Sequence, residues 1–416
     1  VLVIVRPRLL FISPRFLLPA DSGGKIRTGD ILRGMKGGTF EITLASPAPA
    51  EAGIRYAGDL VRLCDHFTSW PEPSRGGLWR LLQLFSVLPV PVATDGSSEG
   101  QVRLREALAT QPDVVVVDFL HTTVLVPDAL APSSVLFTHN VEAEIFERHV
   151  KVARGVAQRL IWRDQLRKMK RFERDTLRRF RHIVAVSERD RRLFGERYDV
   201  DGVEVIATGV DLATLPFGEP GREPVIVFTG SMDSRSNVDG VGYFMDQIWP
   251  IVHAGRADAR VVVVGRNPPD ALVDAARRRN LPWAFTGFVD DVRPFIQTAQ
   301  ISVIPLRVGS GTRIKAFEAM ALGSPIVSTT LGVEGLPVEP GAHFLRGDTP
   351  EEFAAAVLYL LGDEPARREL AMSARRLAER HSSADVAARF EAICRAAMKG
   401  GRADDQAVPT IATGTG

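Results

Sequence analysis

Pro305-Leu306-Arg307-Val308-Gly309-Ser310-Gly311-Thr312-Arg313-Ile314-Lys315-Ala316-Phe317-Glu318-Ala319-Met320-Ala321-Leu322-Gly323-Ser324-Pro325-Ile326-Val327 reads as four consecutive pieces. An apolar strand ends at Pro305, a glycine-rich turn follows, a helix opens near Thr312 and stops at Gly323, and a further strand begins. The first turn of a helix carries backbone N–H groups without intrahelical partners and a partial positive charge, which together suit a phosphate. Cations are disfavoured at that end, so Arg313 and Lys315 there call for an anion. Glu318 lies about one helical turn beyond Lys315 on nearly the same face. That is roughly the step from a diphosphate to a ribose, whose vicinal hydroxyls a carboxylate accepts as paired hydrogen bonds. A surface helix with a Lys–Glu pair would explain the spacing alone, but not its coincidence with the glycine turn and the flanking strands.

Outward from this stretch, short Val- and Ile-rich runs alternate with helical patterns. Strands are expected at Leu9–Ser13, Phe40–Ala45, Leu60–Phe67, Asp113–Val117, Val135–Thr138, His182–Val186 and Val203–Ile206. After a Pro/Gly-rich connector, Thr208–Pro224, they resume at Val225–Thr229, Arg260–Val264, Trp283–Phe285, Ile301–Ile304, Pro325–Ser328 and His343–Leu345. Near-continuous apolar strands belong to parallel sheets covered on both faces. The expected fold class is therefore α/β, with two doubly wound Rossmann-like domains facing a cleft and ligands at the carboxyl ends of the strands. The expected division is 1–212 and 213–382, then a helix over 383–399 and a disordered Gly/Thr/Ala/Asp-rich tail over 400–416.

The 416 residues suit two domains, and 45% hydrophobic with 25% charged residues is ordinary for a chain with buried cores. A formal net charge of +2 does not call for nucleic acid. Cys64 and Cys394 stand far apart without metal-like spacing, which fits a reducing compartment without a disulfide framework or zinc site. The apolar start is interrupted by Arg6 and Arg8 and lacks the order of a secretory signal. No apolar run approaches the roughly 20 residues that span a bilayer. A soluble cytoplasmic protein is expected.

The stretch Lys315–Val327 resembles the donor-site signature of the nucleotide-sugar glycosyltransferases of the GT-B fold, in particular the retaining family 4. Phe228-Thr229-Gly230-Ser231-Met232, Val263-Val264-Gly265-Arg266, Thr286-Gly287-Phe288-Val289-Asp290-Asp291 and Gly332-Val333-Glu334-Gly335 extend the resemblance over nearly the whole second half. His139-Asn140-Val141-Glu142 and the His121 region extend it more weakly into the first half.

The resemblance implies transfer of a sugar from a nucleotide-diphosphate donor to an acceptor hydroxyl, on a glycan, a lipid-linked molecule or a small molecule, with retained anomeric configuration. It places the nucleotide in the second domain, at Gly230, Gly265, Arg266, Phe288, Val289, Ser310, Gly311, Thr312 and Glu318, and the acceptor in the first. Arg313 and Lys315 would stabilise the departing diphosphate.

Two departures stand out. The family often has a glutamate eight positions before Glu318, where this chain has Ser310 between two glycines. It also usually has a basic pair after the first strand of the donor domain, where this chain has only Arg235, in a shifted register.

In the first half, Gly23 and Gly24 open a helix after the first strand and permit close backbone approach to a ligand. The resemblance makes theirs the loop that approaches the donor diphosphate. His121 stands at a strand's carboxyl end, where two readings are open: contact with donor sugar or acceptor, or a hydrogen-bonded structural histidine. At His139-Asn140, capping of the next helix by the asparagine is expected ahead of catalysis.

Asp199-Val200-Asp201 matches the acidic triplet that holds a divalent metal in other glycosyltransferases, but beside Gly202 it reads as a turn. No metal cofactor is expected, since arginine and lysine supply the positive charge. Arg148 to Arg181 is a strongly basic helical stretch with Arg163, Arg167, Lys168, Lys170, Arg171, Arg174, Arg178 and Arg179. It reads as a solvated face or as a peripheral contact with anionic lipid at the inner face of a membrane. A nucleotide-sugar epimerase and a non-catalytic sugar-nucleotide sensor are the alternative functions. The epimerase needs no acceptor, and the sensor shows no turnover.

Overall fold

A computed structural model describes residues 5–153, 155–308 and 313–406. The chain divides into two compact units, one formed by residues 1–207 with 384–416 and the other by residues 208–383.

The first unit holds a seven-stranded, wholly parallel sheet in the order β3-β2-β1-β4-β5-β6-β7. Its strands are β1 (Arg8–Ile12), β2 (Glu41–Pro47), β3 (His66–Trp70), β4 (Val114–Asp118), β5 (Ser134–Phe137), β6 (His182–Ala185) and β7 (Glu204–Val205). The near-unbroken burial of β1, β4 and β5 follows from helices on both faces.

The second unit holds a parallel six-stranded sheet in the order β10-β9-β8-β11-β12-β13. Here the strands are β8 (Val225–Thr229), β9 (Arg260–Val264), β10 (Trp283–Phe285), β11 (Ile301–Ile304), β12 (Ile326–Ser328) and β13 (Leu345–Arg346). In each sheet the chain winds outward from the first strand in one direction, then returns to its other side. The order therefore reverses between β1 and β4, and between β8 and β11. Such a reversal leaves a crevice at the carboxyl ends of the strands, because the connections on its two sides diverge.

Three expectations need correction. Leu60–Phe67 is not one strand, for Ala57–Leu63 is a helix and β3 begins at His66. Leu60 and Leu63, three apart, are buried while Val61 between them is exposed, which is helical rather than alternating periodicity. The division at 212 moves to 207, since Val210 pairs with Ser382 inside the second unit.

The terminal helix does not stand alone, and the expected tail is helical as far as Gln406, with 407–416 outside the described residues. Phe390 of that helix is fully buried in the first unit, its ring centroid 6.4 Å from that of Phe11 and 5.0 Å from that of Phe137. Val386, Phe390, Ile393 and Ala397 form the buried face, at helical spacing.

Candidate active site

The crevice between β8 and β11 is built by glycines. Gly230 follows β8 with φ +152°, and a Cβ there would lie 2.7 Å from Asn237 Nδ2 and 3.1 Å from Lys315 Nζ. Gly265 follows β9, where a Cβ would come within 2.0 Å of the carbonyl oxygen of Gly230. Gly265 also bridges to Gly287 beyond β10. Three strand ends thus come together with no side chain between them.

Lys315 lies in the first turn of the helix Ile314–Leu322, which Gly323 ends in the left-handed conformation at φ +83°. Its Nζ donates to Asn237 Oδ1 at 2.9 Å and sits 4.5 Å from the centre of the Phe228 ring. Asn237 is held in turn, its Nδ2 donating to the carbonyl of Ser231 at 2.8 Å. Burial, reinforced by the neighbouring Arg313 and only partly offset by Glu318, pushes the Lys315 ammonium down to about 7. Arg313 is itself buried and occupies the cap position before the helix, two positions earlier in the helix frame than an opening at Thr312 would place it. Glu318 is half-buried one turn on.

Arg266 is tied back to the same loop, its Nε donating to Asp233 Oδ2 at 2.7 Å and to Ser231 Oγ at 3.2 Å. Phe288 is 71% exposed beside Gly287, whereas Val289 packs on the core. The structure therefore brings Gly230 beside both Gly265 and Lys315, Arg266 onto Ser231 directly after Gly230, and Arg313 next to Lys315, with Glu318 one turn on along the same helix. Arg235 is exposed at the start of the helix Arg235–Tyr243, and the neutral Asn237 two residues later is the side chain that meets Lys315. Ser310, Gly311 and Thr312 lie outside the described residues.

The reversal between β1 and β4 carries a second polar cluster. Asp118, fully buried at the end of β4, accepts from Ser13 Oγ at 3.2 Å and Thr28 Oγ1 at 3.1 Å, and its other oxygen lies 2.6 Å from His139 Nε2. Phe119 holds the left-handed φ of +64°, stacks on His139 with centroids 3.7 Å apart, and abuts Gly24, where a Cβ would meet its ring at 2.6 Å. A bulky residue in such a conformation costs about 1–3 kcal/mol and persists where its surroundings over-determine it. Gly24 and Gly23 open the helix Gly23–Met35 against this ring. Arg27, buried on that helix, is pushed down to about 9 by burial against the pull of Asp190 and Asp118.

His121 lies between two carboxylates, with Nδ1 3.5 Å from Asp95 and Nε2 3.4 Å from Glu142. Burial opposes its charge, but those carboxylates outweigh burial and push it up to about 10. The two carboxylates thus favour its charged form over the neutral imidazole that a general base needs. Asn140 does not cap the helix Glu142–Val152: the amides of Glu142 and Ala143 donate to the carboxylate of Glu173, 2.7 and 3.1 Å away. Glu173 sits on the next helix, fully buried, and burial pushes it up to about 7 against its bond from Tyr198. A tertiary carboxylate thus replaces the local cap.

Asp199 closes the helix Glu188–Tyr198 in the left-handed conformation. Among the described residues no group of three or more His, Cys, Asp or Glu could hold a metal ion. Asp95, Asp118, Glu173 and Asn237 were not singled out from sequence, and Glu142 was named only within the stretch His139-Asn140-Val141-Glu142, without a role. For Asp118 the signal was available, as a charged residue directly ending a strand of four valines.

Known proteins resemble the chain in both of its halves. Residues 23–214 match the family model described as Glycosyltransferase Family 4, and residues 223–363 the one described as Glycosyl transferases group 1. No curated protein matches the sequence. Among solved structures, sucrose-phosphate synthase from Thermosynechococcus elongatus is similar at 15% identity with a TM-score of 0.70, covering 95% of this chain and 100% of that one. HepE from Anabaena, solved with UDP and glucose, is 14% identical with a TM-score of 0.64, over 94% of this chain and 100% of that one. A putative UDP-N-acetylglucosamine 2-epimerase from Listeria monocytogenes is 13% identical with a TM-score of 0.54, over 93% and 95%. These likenesses show the fold, while the two family models carry the class of activity. Two doubly wound units, each with a polar crevice at its strand reversal, and family models matching both halves establish that the chain belongs to the GT-B fold glycosyltransferases related to family 4.

Proposed function

We propose that the enzyme transfers a sugar from a nucleoside-diphosphate donor to an acceptor hydroxyl with retained anomeric configuration. The second unit takes the nucleotide and the first takes the acceptor. The observation that carries this reading is Lys315, an ammonium shielded against Asn237 and the Phe228 ring beside a glycine-lined crevice. Such a group is only partly charged at neutral pH until an anion joins it, so it suits a diphosphate and the charge that grows as the diphosphate leaves. Glu318 accepts from the ribose hydroxyls, and the exposed Phe288 ring offers a stacking face for the base. Because His121 is already protonated, the departing phosphate takes the acceptor proton, and His121 acts as a fixed positive charge.

The test is turnover of a nucleotide-sugar panel, with and without acceptor hydroxyls, followed by product stereochemistry. Nucleoside diphosphate release with an α-linked product from an α-donor is expected, and Lys315→Ala should abolish it. Conversion of the donor sugar to an epimer without acceptor would identify an epimerase. Tight binding without turnover of any donor would identify a sensor.

A further inference from the structure

The helix Gly77–Leu82 and the turn Gln83–Phe85 that continues it bury no residue. Leu78, Leu81, Leu82 and Phe85, spaced i, i+3, i+4 and i+7, form one apolar face, yet they are 75%, 60%, 60% and 90% exposed, and Val87 beyond them is also exposed. Helical apolar stripes normally turn inward, and a contiguous outward one marks an interaction surface.

A basic row borders it. The helix Val156–Leu177 carries seven basic and three acidic residues. Its exposed positions Val156, Leu160, Arg163, Arg167, Arg171 and Arg174 recur at three- and four-residue steps along one face. Lys168 Nζ donates to the carbonyl of Leu84 at 2.7 Å, which fixes the row beside the apolar turn. Leu84, Phe85, Ser86 and Val87 share a cavity of about 680 Å³ with Asp164, Arg167, Lys168 and Arg171.

We propose that this face of the first unit docks on an anionic phospholipid surface, with Leu78, Leu81, Leu82 and Phe85 entering the acyl boundary and the arginine row meeting the headgroups. Leucine and phenylalanine on one helix with a cationic margin is the composition that binds at such an interface. A second copy of the chain fits less well, because a two-fold contact through the patch would bring its arginine row near the same row of the other copy. No helix among the described residues is long and apolar enough to cross a membrane, so the contact is peripheral.

The experiment is sedimentation of the full chain with phosphatidylcholine–phosphatidylglycerol vesicles and with pure phosphatidylcholine vesicles, at low and high salt. Binding to the anionic vesicles that weakens with salt is expected. The Leu81→Asp/Phe85→Asp variant should lose that binding. Arg163→Gln/Arg167→Gln/Arg171→Gln should weaken it by about tenfold or more. All these positions are solvent-exposed, so melting temperature and nucleoside diphosphate affinity should stay as in the parent, which separates this proposal from the donor-site reading. No binding to anionic vesicles, or binding that neither variant changes, would overturn it. A parent dimer that Leu81→Asp/Phe85→Asp converts to monomer, without vesicle binding, would identify a self-association face instead.

Discussion

Lys315 and Asn237 are 78 residues apart in the chain, yet their side chains meet at 2.9 Å, the lysine from the helix after β11 and the asparagine from the helix after β8. The bond spans the strand reversal of the second sheet and joins its two sides. Asn237 offers a neutral oxygen, so this hydrogen-bond partner brings no counter-charge, and Glu318 one turn on offsets the effect of burial on Lys315 only in part.

Proton uptake on binding is the first consequence. The Lys315 ammonium, pushed down to about 7 by burial, should return towards its ordinary range beside a diphosphate. Nucleoside diphosphate affinity should therefore be steady below pH 7 and fall above it, by up to about tenfold per pH unit. Calorimetry in two buffers of different ionisation enthalpy should register the proton. Lys315→Met should erase the buffer dependence, and an unchanged difference would assign the proton elsewhere.

Asn237→Asp should act in the same place with the opposite charge. A carboxylate there pairs with Lys315, raises its pKa and repels the diphosphate. Nucleotide affinity should drop by about tenfold or more, with the melting temperature held or raised.

Glu318→Gln should weaken nucleoside diphosphate and nucleotide-sugar binding alike, by about ten- to a hundredfold, as loss of charge-assisted bonds to ribose would. Lys315→Ala should depress turnover at saturating donor more than it weakens binding, because the charge it meets grows in the transition state. Unchanged nucleotide affinity in Glu318→Gln, with a normal melting curve, would misplace the donor site.

His121 and Lys315 should tilt the stability–pH curve in opposite directions. His121, raised from 6.5 to about 10, stabilises its unit fully below pH 6.5 and loses that contribution as pH rises to about 10. Lys315, lowered from 10.5 to about 7, binds more protons unfolded than folded across that interval, so its contribution grows with pH. Between pH 7 and 10, His121→Gln should flatten the fall of its unit's melting temperature with rising pH, and Lys315→Met should steepen that of the other.

Gly265→Ala should lower stability by about 1–3 kcal/mol and impair nucleotide binding, because its Cβ has only the Gly230 carbonyl to move. Gly58→Ala is the control. That position lies in the helix Ala57–Leu63 with nothing within 4 Å of the added carbon, and it should gain up to about 1 kcal/mol.

What could be read from sequence was what is local. The helix carrying Lys315 and Glu318, its stop at Gly323 and the strands on either side follow from neighbours a few residues away, and so did most strands of both sheets. The partners were not legible. Nothing near Asn237 signals a lysine 78 residues on, and nothing near Glu142 signals that Glu173, from another helix, will cap its amides. Leu60–Phe67 misled because its apolar residues suit either period until Val61 is seen to face solvent. The spacing of Val386, Phe390 and Ile393 declared a buried face but not which sheet would bury it.

That last packing bears on the order in which the molecule can be made. Residues 208–383 form a continuous run and can close their core as soon as they are synthesised, whereas the first 207 lack the Phe390 side chain against Phe11 and Phe137. The unit begun first is finished second. A nascent chain that stops before residue 390 leaves Phe11 and Phe137 without the ring that covers them in the finished unit.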